Sequence, residues 1–463
     1  MQGLYTYYFF IGIGGIGMSA LARYFVRKGA QVFGYDETPT KLTKALELEN
    51  ITIVYSDSVE AIPEQIKNNM LTSLIVYTPA IPETHVGLQF LKTNGFICEK
   101  RAKVLGRICN NAHGIAIAGT HGKTSITTCT TYIMHHSHLG CTGFLGGISK
   151  NFKTNFIYSP TSNYVVVEAD EYDRSFHNLY PHTALVSSMD SDHLDIYFTH
   201  AEVIISFYKF VSHIKESGIF IYKYGLDFTP LYHQVSEKNI HLYTYHVTDS
   251  KADFYAERIS IINQGYELDV VTPWETIKNI QIFTPGKITI ENAIAAIAIS
   301  RANGVTPEEI IAALSTFRGV ERRLDVHVAN QTCVYIDDYA HHPEELRAAI
   351  SSIKELYEGK KVLGVFQPHL FSRTQDFAAE FAQSLSLLDE VVLLDIYPAR
   401  EKPIEGITSH IILKDISIPH KSICSKQELV NVLTKKQFDV LVTMGAGDID
   451  TLIEPITKMC EEK

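Results

Sequence analysis

Short runs of β-branched and aromatic residues alternate along the chain with longer stretches whose apolar positions recur every three or four residues. That alternation predicts α/β domains built on parallel sheets. The first block reads strand YTYYFFIGI, glycine loop, helix MSALARYFVRKG, strand QVFGYD, helix, then strand SLIVYTPAI. A second start follows with strand GIAIAG, helix KTSITTCTTYIMHH and strands YVVVEAD and TALVSSM. Residues from about 220 to 285 are punctuated by glycine and polar positions, and segments such as GYELDVV predict a small antiparallel insertion there. Helices ENAIAAIAISRANG and TPEEIIAALSTF close the block, with Ala293, Ile294, Ile297 and Ala298 forming a core-facing stripe. After FRGVERR a third series begins, with strands TCVYIDD, KVLGVFQ, EVVLLDIY and FDVLVTMGAG.

The expected architecture is therefore three α/β domains. Residues 1–107 form a Rossmann-like N-terminal domain, 108–320 a central P-loop domain with a parallel sheet plus the antiparallel insertion, and 321–463 a Rossmann-like C-terminal domain. A chain of 463 residues has room for about three such units.

Charge narrows the chemistry. Lys and Arg total 41 against 52 Asp and Glu, giving a formal net charge of −11. Without a basic run to overrule that average, a nucleic-acid backbone is an unsuitable partner. The 25 tyrosines and 23 phenylalanines are too dispersed to make a stacking platform for bases. Seven cysteines with no CxxC pair argue against a disulfide framework or a thiolate zinc site and fit a reducing cytoplasm. The stretch from Met1 to Ala22 carries no charge, so length alone would suggest a membrane span. Its five glycines and missing basic flank suggest instead a buried strand, Leu4 to Ile11, running into a loop and helix. The expectation is a cytoplasmic protein without membrane insertion, a monomer or weak homodimer.

Two glycine loops carry the most specific signals. Gly12-Ile13-Gly14-Gly15-Ile16-Gly17 follows a strand and opens a helix, and Asp36 ends the next strand. Glycines allow close backbone approach, and a helix N-terminus favours a diphosphate. NAD is the obvious dinucleotide, although the pattern specifies only a nucleotide diphosphate; the alternative is a purely structural tight turn. The second loop, Gly119-Thr120-His121-Gly122-Lys123-Thr124-Ser125, lacks the first glycine of the full P-loop because position 117 is Ile. It keeps the glycine-rich backbone, a lysine for β- and γ-phosphates and a hydroxyl for Mg²⁺. A capped helix that happens to begin Lys-Thr is its bland alternative.

Carboxylates gather downstream. Strand YVVVE delivers Glu168, followed by Asp170, Glu171 and Asp173, and strand TALVSSM leads to Asp190, Asp192, His193 and Asp195. Strand ends beside a phosphate loop are where a Mg²⁺ ion is held, and His193 is a candidate ligand there. Several of these acids must be bystanders, since Mg²⁺ keeps waters and takes one or two carboxylates. The third block offers Asp337-Asp338-Tyr339-Ala340-His341-His342-Pro343 and Gln367-Pro368-His369-Leu370-Phe371-Ser372-Arg373, each at the carboxyl end of a strand. Arg322 and Arg323 lie on the connection before it, where a solvated pair is the alternative reading. Gly445-Ala446-Gly447-Asp448 is either a third phosphate-facing turn or a strand exit.

Taken together, GIGGIGMSALA, GTHGKTS, EADEYDRSF, SDHLDIY, FRGVERR, DDYAHHPEE, FQPHLFSRT, LLDIYPAREKPIEGITS and GAGDID resemble the Mur ligases of peptidoglycan synthesis over nearly the whole chain. The resemblance implies an ATP-dependent amide ligase that joins L-alanine to the lactyl carboxylate of UDP-N-acetylmuramate through an acyl phosphate. It implies that Gly12, Gly14, Gly15, Ile16 and Gly17 hold the UDP diphosphate, with Asp36 nearby. Gly119, Thr120, His121, Gly122, Lys123, Thr124 and Ser125 would cradle ATP, Lys123 reaching the γ-phosphate. Thr124 and Glu168 would bind one Mg²⁺ and His193 a second, and Asn292 would lie beside the adenine. Arg322, Arg323, Asp338, His341 and His342 would serve the ATP and amino-acid pocket, and His369 and Arg373, with His341, would place L-alanine.

Three departures from the family pattern stand out: Ile288-Thr289 where His-Asn is common, Leu370 where many relatives have arginine, and Thr124-Ser125 in place of Thr-Thr. The neighbouring alternative is the recycling ligase that adds a tripeptide to the same sugar. An NAD-dependent oxidoreductase would explain the first loop but leave GTHGKT and the acidic strand end without a purpose. A non-catalytic NTP switch would explain the lysine loop but not the first domain.

Overall fold

The computed structural model describes residues 5–190, 197, 199–262, 265–399 and 401–463. The chain forms two compact units. One holds the residues up to 262 together with 266–282 and 291–318, and the other holds 283–290 and 319–463.

The first unit contains two parallel sheets. Its N-terminal sheet has five parallel strands in the spatial order Thr52–Val54, Gln31–Tyr35, Tyr7–Ile11, Ser73–Tyr77 and Ile97–Lys100. Strand order reverses at Tyr7–Ile11, so the loop that follows this strand opens at the topological switch point. Alternate side chains of the strand go to opposite faces: Tyr8 and Phe10 join one core, Phe9 and Ile11 another. Burial on both faces explains the near-continuous apolar run in the sequence.

The central sheet has seven strands, ordered His241–Tyr245, Ile219–Lys223, Thr183–Val186, His113–Ala118, Tyr164–Glu168, Thr142–Phe144 and Phe156–Ile157. Only the last pair is antiparallel. His113–Ala118 lies between Thr183–Val186 and Tyr164–Glu168, a second switch point. The antiparallel insertion is smaller than the sequence suggests: Ile219–Lys223 and His241–Tyr245 extend the parallel sheet. A separate three-stranded sheet comprises Tyr255–Ile262, Gly265–Val271 and Thr276–Ile282. Its latter two strands pair antiparallel. Ala293, Ile294, Ile297 and Ala298 are buried, as their spacing predicts.

Within this unit the helix Ile16–Arg27 is fastened to the central sheet by Asn155. The fully buried amide of Asn155 donates to the Ile16 carbonyl and to Ser19 Oγ (2.9 Å), and accepts from Arg23. Arg23 in turn makes a bidentate pair with Glu49. Every polar group is satisfied, so the contact fixes geometry without leaving a buried polar atom exposed to its desolvation cost.

The second unit is a six-stranded sheet ordered Asp325–Ala329, Val334–Asp338, Val440–Met444, Val362–Phe366, Glu390–Leu393 and Lys421–Ile423, parallel except for its first pair. Ile336, Val362 and Val442 enter the core on one face, and Tyr335, Leu363 and Leu441 the core on the other. Ile288 packs against the first of these cores. Among the described residues no helix is long and apolar enough to cross a membrane.

Candidate active site

The lysine loop runs from the end of strand His113–Ala118 into helix Lys123–His136. Gly119 and Gly122 both take positive φ (137° and 83°), conformations that side chains resist. A Cβ at Gly122 would lie 2.9 Å from Asn292 Oδ1, so this glycine lets Asn292 reach the loop. The helix has no side-chain cap and no acid in its first turn. Its first N–H groups and the positive end of its dipole are thus available to an anion.

The neighbouring strand end holds the loop in place. Ser188 Oγ accepts from the His121 N–H (2.9 Å) and bonds Thr120 Oγ1 (2.9 Å), while Ser187 Oγ donates to the His121 carbonyl. These two serines were not singled out by sequence pattern, and their only signal was polarity at the end of an apolar strand.

Glu168 ends the strand on the other side. Thr124 donates its hydroxyl to Glu168 Oε1 at 3.2 Å. Gly146 lies so close that a side chain there would overlap the Glu168 carboxylate, a constraint that sequence reading missed. A hydroxyl and a carboxylate beside this helix start are hard oxygen donors of the kind Mg²⁺ takes while keeping waters. Among the described residues no group of three or more His, Cys, Asp or Glu forms a metal cage. Asp192, His193 and Asp195 lie outside the described residues.

Lys123 points back over its own loop. Its Nζ donates to Glu171 Oε1 (2.9 Å), to the Gly119 carbonyl (2.6 Å) and to the Thr120 carbonyl (3.4 Å). Burial pulls its pKa down, but Glu171, Glu168 and Asp170 together outweigh burial and hold it above the ordinary lysine value. The ammonium is therefore charged at neutral pH. The remaining acids have other partners: Asp170 pairs with Arg101 (3.5 Å) and Asp173 with Lys100 (3.0 Å), while Asp190 lies 3.6 Å from His121.

In the first glycine loop, Asp36 Oδ2 accepts from the Gly14 N–H at 2.7 Å, which ties the second strand to the turn. Gly12 takes φ 86°, and helix Ile16–Arg27 begins after Gly15 without a side-chain cap. Arg101, which no motif indicated, lies against Gly17: a Cβ there would fall 2.8 Å from its Nη1. Arg101 thus sits between this loop and Asp170.

The second unit carries its own polar edge, on the ends of strands Val334–Asp338, Val362–Phe366 and Val440–Met444. Arg322 donates to Asp337 Oδ2 (3.0 Å) and to the Gly445 carbonyl (2.5 Å), and Asp337 also accepts from Thr443 Oγ1 (2.7 Å). Arg322 and Arg323 flank the Tyr339 ring at 5.1 and 5.3 Å. Asp338 accepts N–H bonds from Leu324 and Ala340, yet burial still pushes its pKa up to about 6. His341 Nδ1 faces the Tyr339 carbonyl (3.0 Å) and Glu345 (3.3 Å), and burial lowers its pKa against the opposing pull of Glu345. His342 precedes helix Pro343–Leu356 and packs edge-on against Phe377.

His369 stacks on Tyr397 (5.7 Å) and faces His341 (6.1 Å). Arg373 is carried one turn later on helix Phe371–Asp376. Gln367 donates to Asp448 (2.8 Å) and accepts from the Ile449 N–H (2.9 Å), which knits the Gly445–Asp448 turn to the end of strand Val362–Phe366.

Three family models match the chain in succession: "Mur ligase family, catalytic domain" over residues 7–113, "Mur ligase middle domain" over 117–300, and "Mur ligase, glutamate ligase domain" over 322–447. The chain is 48% identical to a UDP-N-acetylmuramate–L-alanine ligase of Parabacteroides distasonis, with 99% of this chain and 98% of that protein aligned. It is 47% identical to the ligase of the same name from Phocaeicola vulgatus, over 98% of each chain. Among solved structures, the UDP-N-acetylmuramate–alanine ligase of Thermotoga maritima superposes with a TM-score of 0.80 at 25% identity, covering 98% of this chain and 99% of that one. A murein peptide ligase from Psychrobacter arcticus shares the fold at a TM-score of 0.71 and 21% identity, over 99% of each chain. With matched domains running almost end to end and relatives this similar over their full length, the chain belongs to the Mur ligase family.

Proposed function

We propose that this protein joins L-alanine to the lactyl carboxylate of UDP-N-acetylmuramate, using ATP and Mg²⁺, as a cytoplasmic step of peptidoglycan precursor synthesis carried out by a monomer or weak homodimer. The observation that carries the reading is the lysine loop, where an uncapped helix start, Lys123 and the Thr124–Glu168 pair converge at a sheet switch point. Full-length likeness to ligases named for this reaction supports the choice of substrates.

In this reading Gly12, Gly14, Gly15, Ile16 and Gly17 receive the UDP diphosphate, with Asp36 bracing their turn. Gly119 to Ser125 cradle the ATP phosphates, Lys123 meets the γ-phosphate and Asn292 faces the adenine. Thr124 and Glu168 hold one Mg²⁺ and His193 a second. When bound, the metal neutralises phosphate charge as the two anionic reactants approach. A lactyl carboxylate oxygen attacks the γ-phosphorus, the bond to the β-bridging oxygen breaks and ADP leaves. Lys123 offsets the charge gathered on the transferring group.

The neutral amine of L-alanine then attacks the acyl carbon, loses a proton, and the tetrahedral adduct collapses with loss of phosphate. His369, Arg373 and His341 place the amino acid, and Arg322, Arg323, Asp338 and His342 contact ATP. Catalysis of this kind rests on positioning and electrostatics.

The test is phosphate release from ATP and Mg²⁺ with UDP-N-acetylmuramate, comparing L-alanine, the tripeptide acceptor and no acceptor. Release that needs both the sugar and L-alanine is the expected result. Release with the tripeptide alone assigns the recycling reaction instead. Release with neither acceptor from folded protein defeats both.

A further inference from the structure

Lys123 commits all three of its N–H donors inside the resting protein, to two carbonyls of its own loop and to Glu171. None is left for a phosphate until one of these bonds is exchanged. The two side chains are 14% and 1% exposed, so neither charge is well served by water. A buried charge stripped of its partner is strongly destabilising.

Glu171 is built in place. Its carbonyl accepts from the hydroxyl of Tyr197, which is fully buried, and from the Arg174 N–H at 3.0 Å. The Tyr197 hydroxyl is further bonded to Ser206 Oγ (3.3 Å), which meets His177 Nε2 at 3.0 Å. Immediately after Glu171 the chain makes a turn in which Asp173 and Arg174 both adopt φ 52°, left-handed conformations for two successive residues that are not glycine. Such strain persists only where surrounding contacts impose it. The Lys100–Asp173 pair is one of them. The carboxylate therefore sits on a fixed mount, whereas the lysine has a flexible four-carbon stem.

We propose that Glu171 is the resting counter-ion of Lys123, a positioning residue that folds the ammonium against its own loop and yields it to the ATP phosphates when nucleotide binds. The inference rests on the assignment of Lys123 as the phosphate lysine made above. A nucleotide carries several negative charges and wins the ammonium from one carboxylate, but it must displace that carboxylate's pull and enter against its repulsion. Glu171 thereby weakens nucleotide binding while keeping the empty loop folded.

The experiment measures Kd for ATP without divalent metal, in excess EDTA, by calorimetry, together with Tm with and without ATP. Omitting metal removes any effect transmitted through a cation. Glu171→Gln keeps an oxygen near Lys123 but removes the competing charge. It is expected to lower Kd roughly three- to tenfold, to lower the resting Tm and to enlarge the ATP-induced rise in Tm. A purely structural Glu171 would lower resting and ATP-bound Tm alike with Kd unchanged or weaker, and that result overturns the proposal.

Lys123→Met separates the two levels of the argument. If it binds metal-free ATP as tightly as the unaltered protein, the phosphate-lysine assignment itself fails. If it weakens binding while Glu171→Gln does not tighten it, only the counter-ion inference fails. Should Glu171→Gln not be recovered folded, Glu171→Asp withdraws the carboxylate by one methylene and is expected to tighten binding to a smaller degree. Unchanged or weaker binding there overturns the proposal equally.

Discussion

Thr124 donates its hydroxyl to Glu168 across 3.2 Å, linking the first turn of helix Lys123–His136 to the end of the adjacent strand. The pair is maintained by the absence of a side chain at Gly146, whose position leaves no room for a Cβ beside the Glu168 carboxylate. Gly146→Ala is therefore expected to displace Glu168 and spare the fold. In phosphate-release assays it should cut kcat at least roughly tenfold, about 1.4 kcal/mol, and shift the Mg²⁺ requirement upward. Unaltered Mg²⁺ dependence in a folded variant would show that Glu168 is not held for a cation.

Lys123 compensates a buried carboxylate and, under the proposed function, also serves phosphate chemistry. Lys123→Ala should abolish turnover while the protein still folds, with a stability loss of up to about 3–5 kcal/mol as Glu171 loses its ammonium contact. Adding Glu171→Gln to that variant should recover much of the lost Tm without restoring activity. Thermal denaturation and single-turnover phosphate release read the two effects separately. Wild-type-like turnover in folded Lys123→Ala protein would sink the mechanism.

The contrast between Lys123 and Gly146 shows which features were legible in the sequence. The lysine loop is local: strand, glycines, lysine and helix follow one another within a dozen residues, and each has a conformational reason to be there. Gly146 reaches Glu168 from the segment after strand Thr142–Phe144, and Ser187 and Ser188 brace the loop from the segment after Thr183–Val186, so both depend on a sheet order that spacing does not encode. The same limit explains the oversized antiparallel insertion. His241–Tyr245 is an edge strand with one partner and partly exposed side chains, so its mixed polarity imitates an antiparallel strand although its pairing is parallel. Arg101 went unnoticed because it becomes informative only once Gly17 and Asp170 are seen on either side of it.

In the C-terminal unit, Glu401 should govern amino-acid affinity. Its carboxylate accepts from the Ser372 N–H at 3.0 Å and from the Ser372 hydroxyl, pinning the start of the short helix that carries Arg373. Leu370, next to His369, is held at φ 71°, a conformation that loose packing would not sustain. Glu401→Ala is expected to raise KM for L-alanine roughly tenfold, the loss of about 1.4 kcal/mol of positioning, and to leave KM for ATP within a factor of two. Steady-state kinetics with each substrate varied in turn checks it. A matching rise in KM for ATP would mean that the contact supports the domain as a whole.

Acid should destabilise the first unit through a pair of imidazoles in close, tilted contact. The rings of His113 and His182 lie 3.7 Å apart at the base of neighbouring central strands, and His113 Nε2 meets Asn303 Oδ1 at 3.2 Å. Burial, the His113 charge and Lys215 push the pKa of His182 down to about 4, and burial lowers that of His113 as well. Between about pH 6.5 and pH 4 the unfolded chain therefore binds protons that the folded protein refuses. Folding stability rises with pH across that window and is independent of these groups above it. The loss on acidification from His182 alone is at most about 3 kcal/mol, since the ring is partly solvent-facing. Denaturant titrations at pH 7.5, 6.0 and 5.0 should show stability falling towards the acid end. His182→Gln, which cannot take up a proton, should flatten that slope while changing stability little at pH 7.5. An equally steep acid slope in the His182→Gln protein would place the sensitivity elsewhere in the fold.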